Sequence, residues 1–257
     1  MTINKNQLLQ VSTSDGLYLH GYYSPSSDKK IALLHIHGFE GNFYETSFVY
    51  TLEKKLSKNN IAFLTVNTRG NGMVTEFNTV DGKYRTIGSH KELLEEAHLD
   101  ISAWIKFLIN EGYQKIILQG HSLGTMKVIR YLFEGKYKDK IKKLILLAPF
   151  EKTLLDNISP ETQEGWAGDN DFARVFDFTS RNYDFPILKQ IKVPTKIIVG
   201  DKDEYLLPSE PGNYQKAMDI LLNNIPNSEG IFIPDAIHSF KPNEELMSEE
   251  VVKFIKD

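Results

Sequence analysis

The chain has 257 residues, of which 41% are hydrophobic and 25% are charged, the composition of a globular protein that can bury a sizeable core. Its formal net charge of -4 provides no basic surface for nucleic acid. No apolar run approaches the ~18 residues that a membrane-spanning helix needs. We therefore expect neither nucleic acid nor a membrane as a partner.

The chain contains no cysteine, which excludes disulfides, thiolate nucleophiles and cysteine metal ligands and fits a reducing compartment. The first 16 residues lack the basic stretch and apolar region of a secretory signal. We expect a cytoplasmic protein. The sequence does not indicate its oligomeric state.

Short apolar runs alternate with longer segments of helical spacing along most of the chain. The runs at 17–25, 30–39, 61–72, 115–120, 141–150, 195–201 and 230–236 predict strands. The segments at 47–60, 90–113, 123–135, 213–224 and 244–257 predict helices. This alternation predicts an α/β fold, with a mostly parallel sheet and helices on both faces. Without a linker or a shift in composition, we expect a single domain over residues 1–257.

Residues 150–190 break the alternation with a weakly periodic, aromatic-rich segment between two predicted strands. Insertions beyond the carboxyl ends of strands often cover ligand crevices. We predict a cap here, with Trp166, Phe172 and Phe176 contacting the substrate. The alternative is a helical excursion that packs its aromatic residues into the core. Acidic side chains outnumber basic ones in the segment, which favours neutral or aromatic acyl groups unless those charges only form a solvated face.

Ser122 is the candidate nucleophile, because it lies in the pentapeptide Gly120-His121-Ser122-Leu123-Gly124 between a predicted strand and a predicted helix. A serine hydroxyl is a weak nucleophile that needs an adjacent base and an exposed oxygen. A sharp strand-to-helix turn exposes the oxygen, and the flanking glycines allow that turn.

The candidate base is His238, in the turn PDAIHSF between the last predicted strand and helix. Its position at the carboxyl end of the sheet is on the same side as the serine turn. A carboxylate must orient the imidazole, and we rank Asp203 first, in the loop after the strand at 195–201. Asp201 is the second candidate, and Glu151 is a distant third.

Two main-chain amides are the candidate donors to the oxyanion. The N–H of Leu123 opens a helix, where amides lack intrahelical partners and the dipole favours negative charge. The N–H of Phe39 follows the strand at 30–39 in the sequence HIHGFEGN. Phe39 is also a candidate substrate contact. The alternative is that Gly38 and Gly41 simply end a strand.

The chain order Ser122, Asp203, His238, together with GHSLG and HGF, resembles the α/β-hydrolase superfamily over nearly the whole chain. The stretches LHIHGFEGN and NIAFLTVNTRGNG are similar to small bacterial carboxylesterases and cinnamoyl (feruloyl) esterases. The resemblance implies a mostly parallel eight-stranded sheet with the cap inserted after strand 6. It also implies an acyl-enzyme on Ser122, a small-molecule ester as substrate, and neither metal nor cofactor.

Two departures from the family pattern leave the subfamily open. Asn67 stands where many relatives have aspartate, and Met73-Val74 replaces a small polar residue. Both concern loops, and we expect Arg69 in the same region to pair with Asp100 for structural reasons. A thioesterase would use the same residues, and an acyltransferase, a lyase or a non-catalytic ligand receptor could use the same fold.

Overall fold

The computed structural model describes residues 6–149, 188–204 and 213–257. Its main sheet has eight strands. These are β1 (Gln7–Ser12), β2 (Tyr18–Ser24), β3 (Ile31–Ile36), β4 (Ala62–Val66), β7 (Lys115–His121), β8 (Ile141–Leu147), β9 (Thr195–Gly200) and β10 (Ser228–Ile233). A separate two-stranded sheet contains β5 (Glu76–Asn78) and β6 (Tyr84–Thr86).

The strand order in the main sheet is β1-β2-β4-β3-β7-β8-β9-β10. Strands β1 and β2 pair antiparallel, and β2 pairs antiparallel with β4. Every other pairing in this sheet is parallel. The predicted α/β fold with a mostly parallel eight-stranded sheet is therefore confirmed.

Five α-helices lie in the described residues: α1 (Phe48–Lys58), α2 (Ala97–Asn110), α3 (Leu123–Glu134), α4 (Asn213–Asn224) and α5 (Glu244–Lys256). Side chains of α1 and α5 share one core with one face of the sheet. Side chains of α2, α3 and α4 share the other core. Alternation along the strands builds both cores, since Leu33 and Phe63 enter the first while Leu34 and Leu64 enter the second.

Three elements differ from the sequence prediction. Strand β1 and the β5–β6 hairpin were not predicted, and α2 begins at Ala97 instead of residue 90. The cause of the later start is Leu93, whose backbone is extended (φ -101°, ψ 125°) ahead of a short 3-10 turn at Leu94–Glu96. Glu92, the residue directly before Leu93, is buried and meets a buried lysine.

Arg69 pairs with Asp100, as the sequence analysis expected. The guanidinium donates from one terminal nitrogen to Asp100 Oδ1 at 2.9 Å, and the main-chain N–H of Arg69 donates to Asp100 Oδ2 at 2.8 Å. Both side chains are fully buried. A buried ion pair needs such added hydrogen bonds to offset its desolvation, and the pair ties the loop after β4 to α2.

The predicted cap lies outside the described residues, apart from its last three positions. Of the helices in the described parts of the chain, none has the length and apolar character required to cross a membrane.

Candidate active site

Ser122 is the single residue between β7, which ends at His121, and α3, which begins at Leu123. Its backbone has φ 53° and ψ -125°, a combination that non-glycine residues rarely adopt and that is found where structure enforces strain. The Ser122 N–H donates to the carbonyl of Leu147 in β8 at 3.0 Å. The sheet therefore holds the serine on a sharp turn at the carboxyl end of β7.

Gly120 and Gly124 are required by close packing around this turn. A Cβ at Gly120 would overlap the carbonyl of Gly124, and one at Gly124 would overlap the carbonyls of Ile36 and His37. The second contact brings the first turn of α3 against the end of β3. The two flanking glycines thus bring the strand-to-helix turn at Gly120–Gly124, called the elbow below, close to the loop that follows β3.

His238 and Asp203 form a hydrogen-bonded pair at the carboxyl ends of β10 and β9. Nδ1 of His238 lies 2.9 Å from Oδ2 and 3.0 Å from Oδ1 of Asp203. The Asp203 side chain is fully buried, and that of His238 is 13% exposed. For Asp201 we find a main-chain hydrogen bond, from its N–H to the carbonyl oxygen of Ile233. Glu151 lies outside the described residues. Of the described carboxylates that were candidates, Asp203 is the one paired with His238.

Two residues near His238 were not recognised from the sequence. The Glu204 carboxylate accepts the main-chain N–H of His238 at 2.9 Å. The His121 ring lies 4.8 Å from the His238 ring, centroid to centroid. Because His121 directly precedes Ser122, this ring contact places the loop that carries His238 next to the elbow. The sequence signal for Glu204 was its place in the loop DKDE after β9.

The loop after β3 packs directly on the serine. A Cβ at Gly38 would lie 2.8 Å from Ser122 Cβ and 3.4 Å from Ser122 Oγ. Phe39 follows Gly38, and its half-buried side chain packs against the core that contains α2 and α3. Leu123 supplies the first amide of α3 on the other side of the serine. Both amides predicted to bind an oxyanion therefore belong to segments in contact with Ser122.

His35 is a hydrogen-bonded residue of the core. Its Nδ1 lies 2.9 Å from Gln119 Nε2, so Nδ1 accepts from the amide and the proton of the neutral ring is on Nε2. Burial lowers the pKa of His35 well below its usual value. This histidine does not take part in the site.

In residues 6–149, 188–204 and 213–257, no group of three or more His, Cys, Asp or Glu side chains could hold a metal ion. Trp166, Phe172 and Phe176, the predicted substrate contacts of the cap, lie outside these ranges.

A family model described as "Serine aminopeptidase, S33" matches residues 27–167, more than half of the chain. The chain belongs to this family of α/β-hydrolases. The matched region contains the β3 loop and the Ser122 elbow, and the prediction of a serine hydrolase is confirmed. A search of curated proteins finds no match to this hydrolase.

Several solved structures share the hydrolase's fold. Est1E from Butyrivibrio proteoclasticus, in a structure with ferulic acid bound, has a TM-score of 0.74 at 21% identity, covering 96% of this chain and 98% of that one. Esterase Pf2001 from Pyrococcus furiosus has a TM-score of 0.69 at 19% identity, with coverages of 98% and 92%. Carboxylesterase CesB (YbfK) from Bacillus subtilis has a TM-score of 0.63 at 14% identity, with coverages of 98% and 92%. The similarity supports the α/β-hydrolase fold.

Proposed function

We propose that this hydrolase is a serine carboxylesterase in which Ser122 is the nucleophile, His238 the base and Asp203 the orienting acid. The observation that carries the proposal is the hydrogen-bonded His238–Asp203 pair beside a serine with strained backbone dihedrals. Strain at a non-glycine residue persists only where the surrounding structure enforces it, which is typical of functional positions. The names of two of the structural neighbours above, Pf2001 and CesB, also describe esterases, and Est1E is bound to ferulic acid.

In the proposed reaction Ser122 Oγ attacks the ester carbonyl while His238 Nε2 accepts its proton. Asp203 accepts the Nδ1–H bond and so holds the tautomer with Nε2 open for that transfer. The amides of Phe39 and Leu123 donate to the tetrahedral oxyanion. His238 then protonates the departing alcohol. In the second half of the reaction His238 accepts a proton from a water molecule, which attacks the acyl-enzyme, and then returns the proton to Ser122 Oγ as the acid is released. Losing one oxyanion donor costs about 10²- to 10³-fold in kcat.

The substrate that we propose is a small neutral or aromatic ester. This proposal rests on the acidic, aromatic composition of residues 150–190, with Trp166, Phe172 and Phe176 as proposed contacts of the acyl group. Ferulic acid, the ligand bound to Est1E, is an aromatic acid. We propose a single domain over residues 1–257, located in the cytoplasm.

A substrate panel tests the proposal. Wild-type protein and Ser122→Ala would be assayed with p-nitrophenyl esters from acetate to decanoate, methyl ferulate, an acyl-CoA and an amino-acid p-nitroanilide. The proposal predicts that the wild type hydrolyses at least one oxygen ester faster than the thioester or the anilide, and that Ser122→Ala does not. Faster cleavage of the acyl-CoA would indicate a thioesterase, and faster cleavage of the anilide an aminopeptidase. An inactive wild type would favour a receptor.

A further inference from the structure

A buried ion pair lies behind the elbow and has no part in the hydrolytic steps proposed above. Nζ of Lys127, on α3, is 2.7 Å from Oε2 of Glu92, and the exposed fractions of the two side chains are 0% and 1%. The free energy needed to remove two charges from water in this way is usually about as large as the free energy gained from their attraction. Such a pair therefore contributes little to stability by itself, and a positional role becomes the better explanation of its presence.

The surrounding backbone is shaped to admit this pair. A Cβ at Gly70 would overlap the Glu92 carboxylate, so a side chain at this position would have to displace that carboxylate from where it meets Lys127. Glu92 lies directly before the extended residue Leu93, ahead of the helical region. Burial raises the pKa of Glu92, and the charge of Lys127 opposes that rise. Lys127 lies one helical turn beyond Leu123, the first residue of α3, which places its side chain close behind the elbow.

A continuous chain of hydrogen bonds leads from Lys127 to the loop after β3. Lys127 Nζ donates to Thr68 Oγ1 at 3.2 Å. Nε2 of His37 lies 3.1 Å from both the main-chain N and Oγ1 of Thr68, and His37 Nδ1 lies 2.7 Å from the carbonyl oxygen of Gly38. Because Nε2 accepts the Thr68 N–H, the ring proton is on Nδ1 and is donated to Gly38.

The neutral form of His37 is essential to this chain, since a protonated Nε2 could not accept from Thr68. Burial, together with the positive charge of Lys127, lowers the pKa of His37 to about 3. The lysine thus contributes to the network through both its hydrogen bond and its charge.

The last bond of the chain fixes the direction of a catalytically relevant amide. In a trans peptide the carbonyl of Gly38 and the N–H of Phe39 point in opposite directions. Holding the carbonyl on the His37 ring therefore directs the Phe39 N–H away from that ring, to the opposite side of the peptide bond. Gly38 itself packs against Ser122, so this orientation is set where the oxyanion would form.

We propose that Lys127, held by Glu92, is a positioning residue that orients the Phe39 amide through Thr68 and His37. The inference rests on the proposed function, because it assigns the network to the oxyanion donor of that reaction. Thr68 is the link best suited to a test, since Thr68→Val removes the hydroxyl at nearly constant shape and Thr68→Ser retains it.

The experiment compares Thr68→Val, Thr68→Ser and Lys127→Met with the wild type. Lys196→Met is the matched control, because Lys196 is also a buried, ion-paired lysine but lies near the start of β9, at the opposite edge from the elbow. Three measurements are made: steady-state kinetics with p-nitrophenyl butyrate, which give kcat and KM; affinity for a trifluoromethyl ketone that forms a tetrahedral serine adduct; and amide hydrogen exchange of the segment 37–43.

We expect Thr68→Val and Lys127→Met to lower kcat by about 10- to 100-fold with little change in KM, because a displaced donor loses part of its effect on the transition state. Affinity for the ketone should fall by a similar factor, and exchange in residues 37–43 should accelerate. Thr68→Ser should stay near the wild type in all three measurements. Lys196→Met should leave kcat, ketone affinity and loop exchange unchanged.

Unchanged kcat, ketone affinity and loop exchange in Thr68→Val would overturn the inference, as would equal losses in Thr68→Val and Thr68→Ser. If Lys127→Met does not fold, the two Thr68 variants decide the question. A wild type that hydrolyses no ester would contradict the proposed function separately. The exchange comparison would still decide whether the network positions the loop, because it requires no turnover.

Discussion

Nε2 of His121 donates a hydrogen bond to the main-chain carbonyl of His238 at 3.0 Å. The residue before the proposed nucleophile thus holds the backbone of the proposed base, whose N–H is bound by Glu204 on the other side. Burial lowers the pKa of His121 to about 3, and the neighbouring His238 contributes to the shift. His121 therefore remains a neutral donor over the pH range in which an esterase works.

Replacing His121 should impair catalysis without removing any reacting group. His121→Leu loses the bond to the His238 carbonyl, and we expect kcat to fall about 10-fold or more, because small displacements of catalytic groups are costly. His121→Gln can present an amide donor at a similar distance and should retain more activity. Steady-state kinetics on one p-nitrophenyl ester would measure both variants. Equal activities in His121→Leu and the wild type would show that the bond does not position His238.

The assignment of the acid can be tested by a pair of matched substitutions. Asp203→Asn leaves the His238 ring without its carboxylate acceptor, and we expect kcat to fall about 10³- to 10⁴-fold, as a mispaired tautomer predicts. Asp201→Asn, two residues away in the same loop, should stay close to the wild type. The reverse order of effects in a side-by-side assay would transfer the role to Asp201.

Much of the fold was predictable because the parallel strands are buried on both faces. Strands β3 and β7 are mostly apolar runs with a glycine at or just beyond the carboxyl end, and the helices between strands show apolar residues at helical spacing. Strand β1 was missed because its exposed edge carries glutamines among its apolar residues. The β5–β6 hairpin was missed although Asp81-Gly82 is a common turn pair and Gly82 has φ +76°. Its strands of three residues are too short for periodicity.

The site was predictable as far as its residues lie in recognisable turns. Ser122, His238 and Asp203 each follow a strand, and topology brings the carboxyl ends of parallel strands to one edge. The Lys127–Glu92 pair was not predictable, because its partners are 35 positions apart and meet only through packing. A lysine in the otherwise apolar stretch of α3 was the one available signal. Glu92 was assigned to a helix that in fact begins later.

Stability should depend on pH through three buried histidines, His35, His37 and His121. Their pKa values are lowered on folding, to about 3 for His37 and His121. Unfolded histidines titrate near 6.5, so the unfolded state binds more protons between about pH 6.5 and pH 3. The free energy of unfolding should therefore fall as pH decreases through that window, by up to about 1.4 kcal/mol per pH unit for each histidine.

Urea denaturation at pH 7, 6 and 5 measures this dependence. His35→Asn removes one titrating ring while keeping an acceptor for Gln119, and it should reduce the slope. The exposed His20 provides a control, since His20→Gln should leave the slope as in the wild type. A free energy of unfolding that is independent of pH over this range would contradict the neutral, buried state of these rings.

The central claim, that Ser122 is an activated nucleophile, is tested most directly by covalent labelling. Wild-type protein and Ser122→Ala would be treated with a fluorophosphonate, and the adduct located by peptide mass spectrometry. We predict one stoichiometric adduct on Ser122 in the wild type and none in the variant. An unlabelled wild type, or a variant labelled to the same extent at another residue, would contradict the account.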